Sequence, residues 1–206
     1  MPVDRPFRRT CRQLVDGSYL HNGNGRYVCH SRYAVAGRQY VRAFMLLQKD
    51  VLELFDYVEP ADINLPCYSY RIHELHMRTC IEVEAHCKAI LSENSYRGNS
   101  NDWTMNDYRK LDRTHHLSSY EVRMPLWHGA RHTRPPFAAW AANGALPWYQ
   151  AYNAAKHDRH NQFASANFDS LVEALGSSRI ALRSIYHSRF PAGRSWPRVW
   201  RSRGWV

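Results

Sequence analysis

Within the twelve residues from Tyr149 to His160 the chain carries an amide, an ammonium, a guanidinium and two imidazoles: Asn153, Lys156, Arg159, His157 and His160. On a helix turning about 100° per residue, Tyr149, Asn153, Lys156, His157 and His160 fall within about a quarter of the circle. Ala151, Ala154 and Ala155 fall on the opposite side, where small side chains let a helix approach a neighbour closely. Such a polar face suits an anion. An imidazole moves protons near neutral pH, which gives His157 a role as acid or base. Lys156 and Arg159 are suited to stabilising negative charge on a phosphate in a transition state, and Asn153 to orienting a neighbour or a substrate oxygen. The plainer reading is a solvated face on a surface helix.

Tyr152-Asn153-Ala-Ala-Lys156-His157, placed late in the chain after a long helical hairpin, resembles the motif of the HEPN (higher eukaryotes and prokaryotes nucleotide-binding) superfamily. That motif is an Arg, four to six residues, then a His, commonly with an Asn directly after the Arg. Asn153 and His157 match its Asn and His, whereas Tyr152 stands at its Arg position. The resemblance covers roughly residues 38–176 in helix order and this one short motif in detail. It implies a metal-independent ribonuclease of a toxin or defence type, with His157, Asn153 and Lys156 as catalytic residues. It equally implies a degenerate relative that binds RNA or a nucleotide without cutting it. Arg159, His160, Tyr149 and Tyr152 are then the expected nucleic-acid contacts, with Lys156 or Arg159 supplying the charge that Tyr152 lacks. Family members commonly dimerise so that two motifs form one cleft, so a homodimer is implied. No cofactor and no metal are expected. The reading from a different class is a non-catalytic helical module whose partner is another protein.

The spacing of Arg and His is also satisfied by Arg71 with His76, Arg109 with His115, and Arg123 with His128. They rank below the late helix, since nothing but spacing recommends them. His76 and Cys80 lie four apart on one helix and could share a metal, but Cys87 is two turns further, roughly 10 Å along the axis. Buried cysteines and a hydrogen-bonded core histidine explain these residues without a metal. His73 or His76, if it faces the late helix, is placed to act on His157 indirectly. Gly-rich phosphate loops, the GxSxG elbow, HExxH and paired CxxC are all lacking. Cys29-His30 is no nucleophile pair, because neighbours on an extended segment point to opposite faces.

The elements that must carry the late helix follow from periodicity. Val41, Phe44, Leu47, Val51, Phe55 and Val58 recur at threes and fours, predicting a helix from about Arg38 to Val58, stopped by Pro60. A second, longer helix is expected from about Cys67 to Ser92, with His73, His76, Cys80, Val83, Cys87, Ile90 and Leu91 on one face. Glu74, Arg78 and Glu82 lie opposite, at the spacing of supporting ion pairs. Thr104 with Asp107 reads as a capping box opening a short helix to about Leu111. Leu117 to Pro147 reads as an irregular excursion in which YEVRMPLW and PPFAAWAA form short extended segments. Pro147 opens the late helix. After a break near His160 a last helix carries Phe168, Leu171, Val172 and Leu175. The fold class is therefore mainly α: an antiparallel helical bundle built on a long hairpin.

The chain has 206 residues, enough for one domain with a sizeable core. Residues 1–36 read as an N-terminal irregular segment, with a turn at HNGNGRYVCH; residues 37–176 form the helical domain; residues 177–206 form a basic tail set apart from the fold. The tail holds seven arginines and no acid, so removing them from the net charge of +10 leaves +3 for residues 1–176. The basicity belongs to the tail and argues little for nucleic acid at the body. Its break in composition fits a shifted reading frame, or else a basic, tryptophan-bearing arm that stacks on single-stranded nucleic acid. Five cysteines without a CxxC pair point away from a disulfide framework and to a reducing, cytoplasmic compartment. No membrane helix is expected, because no apolar run has the roughly 20 residues needed, and no secretory signal, because no apolar stretch follows the charges of MPVDRPFRRTCRQ.

Overall fold

Apolar side chains at spacings of three and four produce the expected helices. The computed structural model describes residues 37–93, 96–185 and 201–203, with side chains from 39 to 92 and from 96 to 182. The expected irregular segment 1–36 and its HNGNGRYVCH turn lie outside the described residues.

Helix α1, Gly37–Leu54, buries Phe44, Leu47, Val51 and Leu54 along one stripe. It ends four residues before Val58, where residues 55–58 close a looser turn through Tyr57 N–H and Val58 N–H to the Leu54 carbonyl. Helix α2, Tyr70–Glu93, starts three residues later than the apolar spacing indicates. The Ser69 hydroxyl accepts from the Ile72 N–H at 3.1 Å, which is the N-cap contact that fixes the start. Its inner face is Ile72, Leu75, His76, Thr79, Cys80, Val83, His86, Cys87, Ile90 and Leu91. On the outer face Arg78 reaches Glu74 at 3.7 Å and, across the hairpin, Asp50 of α1 at 2.7 Å. Exposed pairs of this kind contribute about 1 kcal/mol or less, so packing rather than charge holds α1 to α2.

The connector between them is pinned at Asp62. Its carboxylate accepts from Trp127 Nε1 at 2.7 Å and from the N–H groups of Ala130 and Arg131, and the Trp127 bond leads in holding its ionisation low. Gly129 sits at φ +125°, and a Cβ there would lie 2.4 Å from the Asp62 carboxylate. Only glycine tolerates both the angle and the approach.

The excursion begins with the expected capping box. Asp107 accepts from the Thr104 N–H at 2.9 Å and opens α3, Met105–Tyr108, followed by α4, Asp112–His115. Strand β1, Glu121–Arg123, falls in the segment expected to be extended and alternates as a strand should, with Val122 buried between two exposed neighbours. It pairs antiparallel with β2, Thr133–Arg134. PPFAAWAA departs from expectation: residues 138–142 form a 3-10 helix. Phe137 and Trp140 are both buried, with ring centroids 4.7 Å apart, and a three-residue turn is what puts i and i+3 on the same side.

Helix α5, Pro147–His157, begins with proline at its first turn, as expected. A single short helix α6, Arg159–Gln162, and a 3-10 turn at 163–165 lead to α7, Phe168–Ile185. Asn167 caps α7 by accepting from the Ser170 N–H, while the carbonyls of Cys67 and Leu65 take the first N–H groups of the helix. Helix α7 is the centre of the bundle, packing on α2, α5 and α1. Arg134 links it to the excursion: the guanidinium is 1% exposed, donates to Asp169 and to Glu173 (2.9 Å), and lies 4.6 Å from the Trp127 ring centroid.

The boundary expected at residues 176/177 falls inside α7. Ser177, Ser178, Ile180, Ala181 and Leu182 are all buried, continuing the stripe of Phe168, Leu171, Val172 and Leu175. Further along the tail, β3 (Arg201–Arg203) pairs antiparallel with β1 on the edge opposite β2. The fold is mainly α, and among the described residues no helix is long and apolar enough to cross a membrane.

Candidate functional site

The late helix meets its neighbours through Trp148, Tyr152 and Ala155, which are buried. Trp148 donates its indole N–H to the Pro136 carbonyl at 2.9 Å. His76 of α2 lies with Nε2 3.1 Å from the Trp148 carbonyl. A carbonyl only accepts, so the proton is on Nε2 and His76 is a neutral donor. Burial lowers its pKa to about 4, against the opposing pull of that bond. His76 thus faces the late helix, as expected, but it fastens α5 to α2 at Trp148 and has no bond to His157.

Two of the expected contacts turn inward. The Tyr149 hydroxyl donates to Glu84 Oε1 at 2.8 Å, and burial, ahead of that bond, pushes its ionisation up. Tyr152 is 3% exposed, its ring edge-on to His76 with centroids 6.4 Å apart. Its ring is closed to a ligand. One turn later the Lys156 ammonium stands 5.2 Å from the centroid of that ring. An ammonium over an aromatic face is held by the ring quadrupole. The position that matches the motif's arginine is therefore a buried phenol with the Lys156 cation laid across it.

The other five reach the surface. Asn153 is half-buried, while Lys156, His157, Arg159 and His160 are exposed. The helix stops at His157 because Asp158 leaves helical geometry at φ −137°, ψ 65°. Its carboxylate then caps α6, accepting from the Asn161 N–H at 3.3 Å and from Asn161 Nδ2 at 2.9 Å. The break comes two residues before His160, so His160 sits on α6 and no longer shares the α5 wheel. Lys156 and His157 occupy the last turn of α5, where the partial negative charge of the free carbonyls favours cations. Asp158 is spent on its cap, and among the described residues neither Lys156 nor Arg159 forms an ion pair. The result is a corner at the α5–α6 break with two unpaired cations, two imidazoles and an amide. It can hold an anion and move a proton beside it.

None of the other Arg–His pairs offers such a corner. His76 and His115 are fully buried. Arg71 is engaged with Glu74 and Asp50, Arg109 donates to the Asn143 carbonyl, and His128 lies 3.3 Å from Glu59. Among the described residues no three His, Cys, Asp or Glu side chains are grouped to hold a metal. Cys80 and Cys87 are buried thiols whose ionisation burial pushes up, to about 12 for Cys87, the opposite of what a thiolate ligand needs. A cleft of about 220 Å³ lined by Glu121, Arg123, His132 and Thr133 lies on the small sheet and includes none of the corner residues.

One part of this surface escaped the reading from spacing. Phe163, just after α6, packs with its ring among Tyr68, Tyr70 and His73 at the start of α2. Its signal in the sequence was Tyr68-x-Tyr70 flanking the Ser69 cap, two aromatics on a helix start where polar residues are usual. No family model, curated protein or solved structure matches this chain.

Proposed function

We propose that the α5–α6 corner is an RNA-directed site, and that the protein is an HEPN-like, metal-independent endoribonuclease of the toxin or defence type. The observation that supports this most is the group of half-buried Asn153 with exposed Lys156, His157 and Arg159 at the α5–α6 break, without an acidic partner among the described residues. Cleavage of RNA without a metal needs a proton taken from a ribose 2′-hydroxyl as it attacks phosphorus, and one given to the departing 5′-oxygen. His157 is the group placed to move such a proton. Lys156 and Arg159 stabilise charge on the phosphoryl oxygens, and Asn153 orients the backbone. The second proton carrier is either His160 of the same corner or, in the homodimer that the HEPN resemblance implies, His157 of a second copy.

The test is cleavage of end-labelled RNA by the purified full chain with a chelator present. His157→Ala is expected to lower the rate by at least about a hundredfold, the usual loss for a general acid or base, and Lys156→Ala to lower it as well. Circular dichroism should be unchanged in both, since the two side chains are exposed. Binding without cleavage would mark a degenerate, RNA-binding relative. Unaltered RNA-linked activity in both variants would remove the reading altogether.

A second reading, a non-catalytic protein-interaction module, draws on a different surface. Met45 and Leu46 on α1 and Ile81 on α2 are 51%, 47% and 53% exposed. Under that reading a protein partner co-purifies, and Met45→Lys releases it while His157→Ala does not.

A further inference from the structure

Beside the corner, rings from two elements converge on one open surface. Phe163 has its centroid 4.7 Å from Tyr70, 5.8 Å from Tyr68 and 5.4 Å from His73. Tyr70 is 73% exposed and Tyr68 56%, so most of both phenol rings is in water. Aromatic side chains of this size are usually buried, and an exposed cluster of them marks a place where something binds. The cluster adjoins the cations directly. The turn that carries Phe163 packs against α5, and Arg159 is near enough for its charge to act, after burial, against protonation of His73.

The pairing of flat rings with cations that have no acidic partner among the described residues selects the occupant. A protein interface would also welcome tyrosines, but its rim would carry mixed charges. Here the neighbours include Lys156, His157, Arg159 and His160, while Asp158 is spent on Asn161 and Glu74, one turn after Tyr70, is paired with Arg71 and Arg78. That combination fits a polyanion with planar groups. In a duplex the bases are stacked on one another and out of reach, whereas unpaired bases splay onto aromatic side chains.

Resting on the RNA reading above, we propose that Tyr68, Tyr70 and Phe163 form a stacking platform for unpaired bases of single-stranded RNA whose phosphates run along Lys156, His157 and Arg159. The platform makes the site selective for single strands and sets which nucleotides flank the phosphate at His157.

The experiment is fluorescence anisotropy of the full chain with a short labelled oligoribonucleotide, single-stranded or annealed into a duplex. The parent protein should bind the single strand more tightly. Tyr70→Ala should weaken single-strand binding by roughly 5- to 100-fold, the loss typical of one stacked base, and leave duplex binding unchanged. Tyr70→Phe should retain the parent affinity, because stacking needs the ring and not the hydroxyl. Equal affinity of Tyr70→Ala and the parent for the single strand, or an equal loss on single strand and duplex, overturns the platform. If Lys156→Ala weakens binding while Tyr70→Ala does not, the platform fails and the RNA reading survives. If the parent protein binds neither form, both fail.

Discussion

Tyr152 and His157 are five residues apart on one helix and meet opposite environments. Tyr152 lies in the core against His76, and His157 stands in water at the helix end. The shared polar face of Asn153, Lys156 and His157 was legible in the sequence, because the wheel orders residues around a helix. The inward turn of Tyr149 and Tyr152 was not, because the wheel is silent on how much of the circle neighbouring helices cover. Here α2 and α7 both lean on α5, and the buried arc widens to take in the two tyrosines. Histidines also divide by environment. Both ring nitrogens of His86 lack a hydrogen-bond partner among the described residues, and burial lowers its pKa to about 3, as it lowers that of His76 to about 4. Both are neutral in the fold, whereas in the unfolded chain they take up a proton near pH 6.5. Between about pH 6.5 and about 4 the unfolded chain therefore binds more protons, so stability is complete above that window and is lost as pH falls through it. Each histidine contributes a slope of up to about 1.4 kcal/mol per pH unit. Urea midpoints are expected to fall steadily across this window, and His86→Leu should make the fall shallower. Asp62 and Asp107, whose carboxyls are held low, act at lower pH, whereas Glu82 and Glu173, whose ionisation burial pushes up, oppose the fall within the window. The same dependence of the midpoint on pH in the parent and in His86→Leu would contradict the neutral, buried state of the His86 ring.

Among the elements, the hairpin and the start of α5 were readable because Phe44, Leu47 and Val51 mark a stripe and Pro147 marks a helix start. The end of α7 was hidden by composition. Serines and arginines after Gly176 look unlike the body, yet Ser177 and Ser178 are buried, and the Ser177 hydroxyl donates to the Glu173 carbonyl one turn back at 3.0 Å. A hydroxyl satisfied within its own helix can sit in a core. Ile180 and Leu182 then keep the apolar spacing. A change of reading frame at residue 176 is at odds with this continuity, since a shifted frame has no reason to keep the stripe in phase. Leu182→Ala is expected to lower stability by about 2–5 kcal/mol, as for a buried leucine elsewhere. Urea unfolding measures it, and a loss below about 0.5 kcal/mol, the scale of a surface substitution, would mean that α7 does not pack beyond Gly176. The 3-10 turn in PPFAAWAA was illegible for a related reason: alanines carry little periodic signal, so the turn is set by Phe137 and Trp140 alone.

At the scale of the whole molecule, net charge is a poor guide to the site. Seven of the excess positive charges lie after residue 176, and the corner at α5–α6 is basic because its one acid is committed to a cap, not because cations are numerous. What the molecule does with that corner depends on two unpaired cations presented together. Single-stranded RNA binding measured against salt reads them most directly, since each phosphate neutralised adds about 0.7 to the slope of log affinity on log salt. For the full chain with both Lys156→Ala and Arg159→Ala, the slope is expected to drop by about 1.4 relative to the parent, with a weaker affinity at every salt concentration. The same slope and the same affinity in the parent and the double variant would contradict an RNA-directed site at the end of α5.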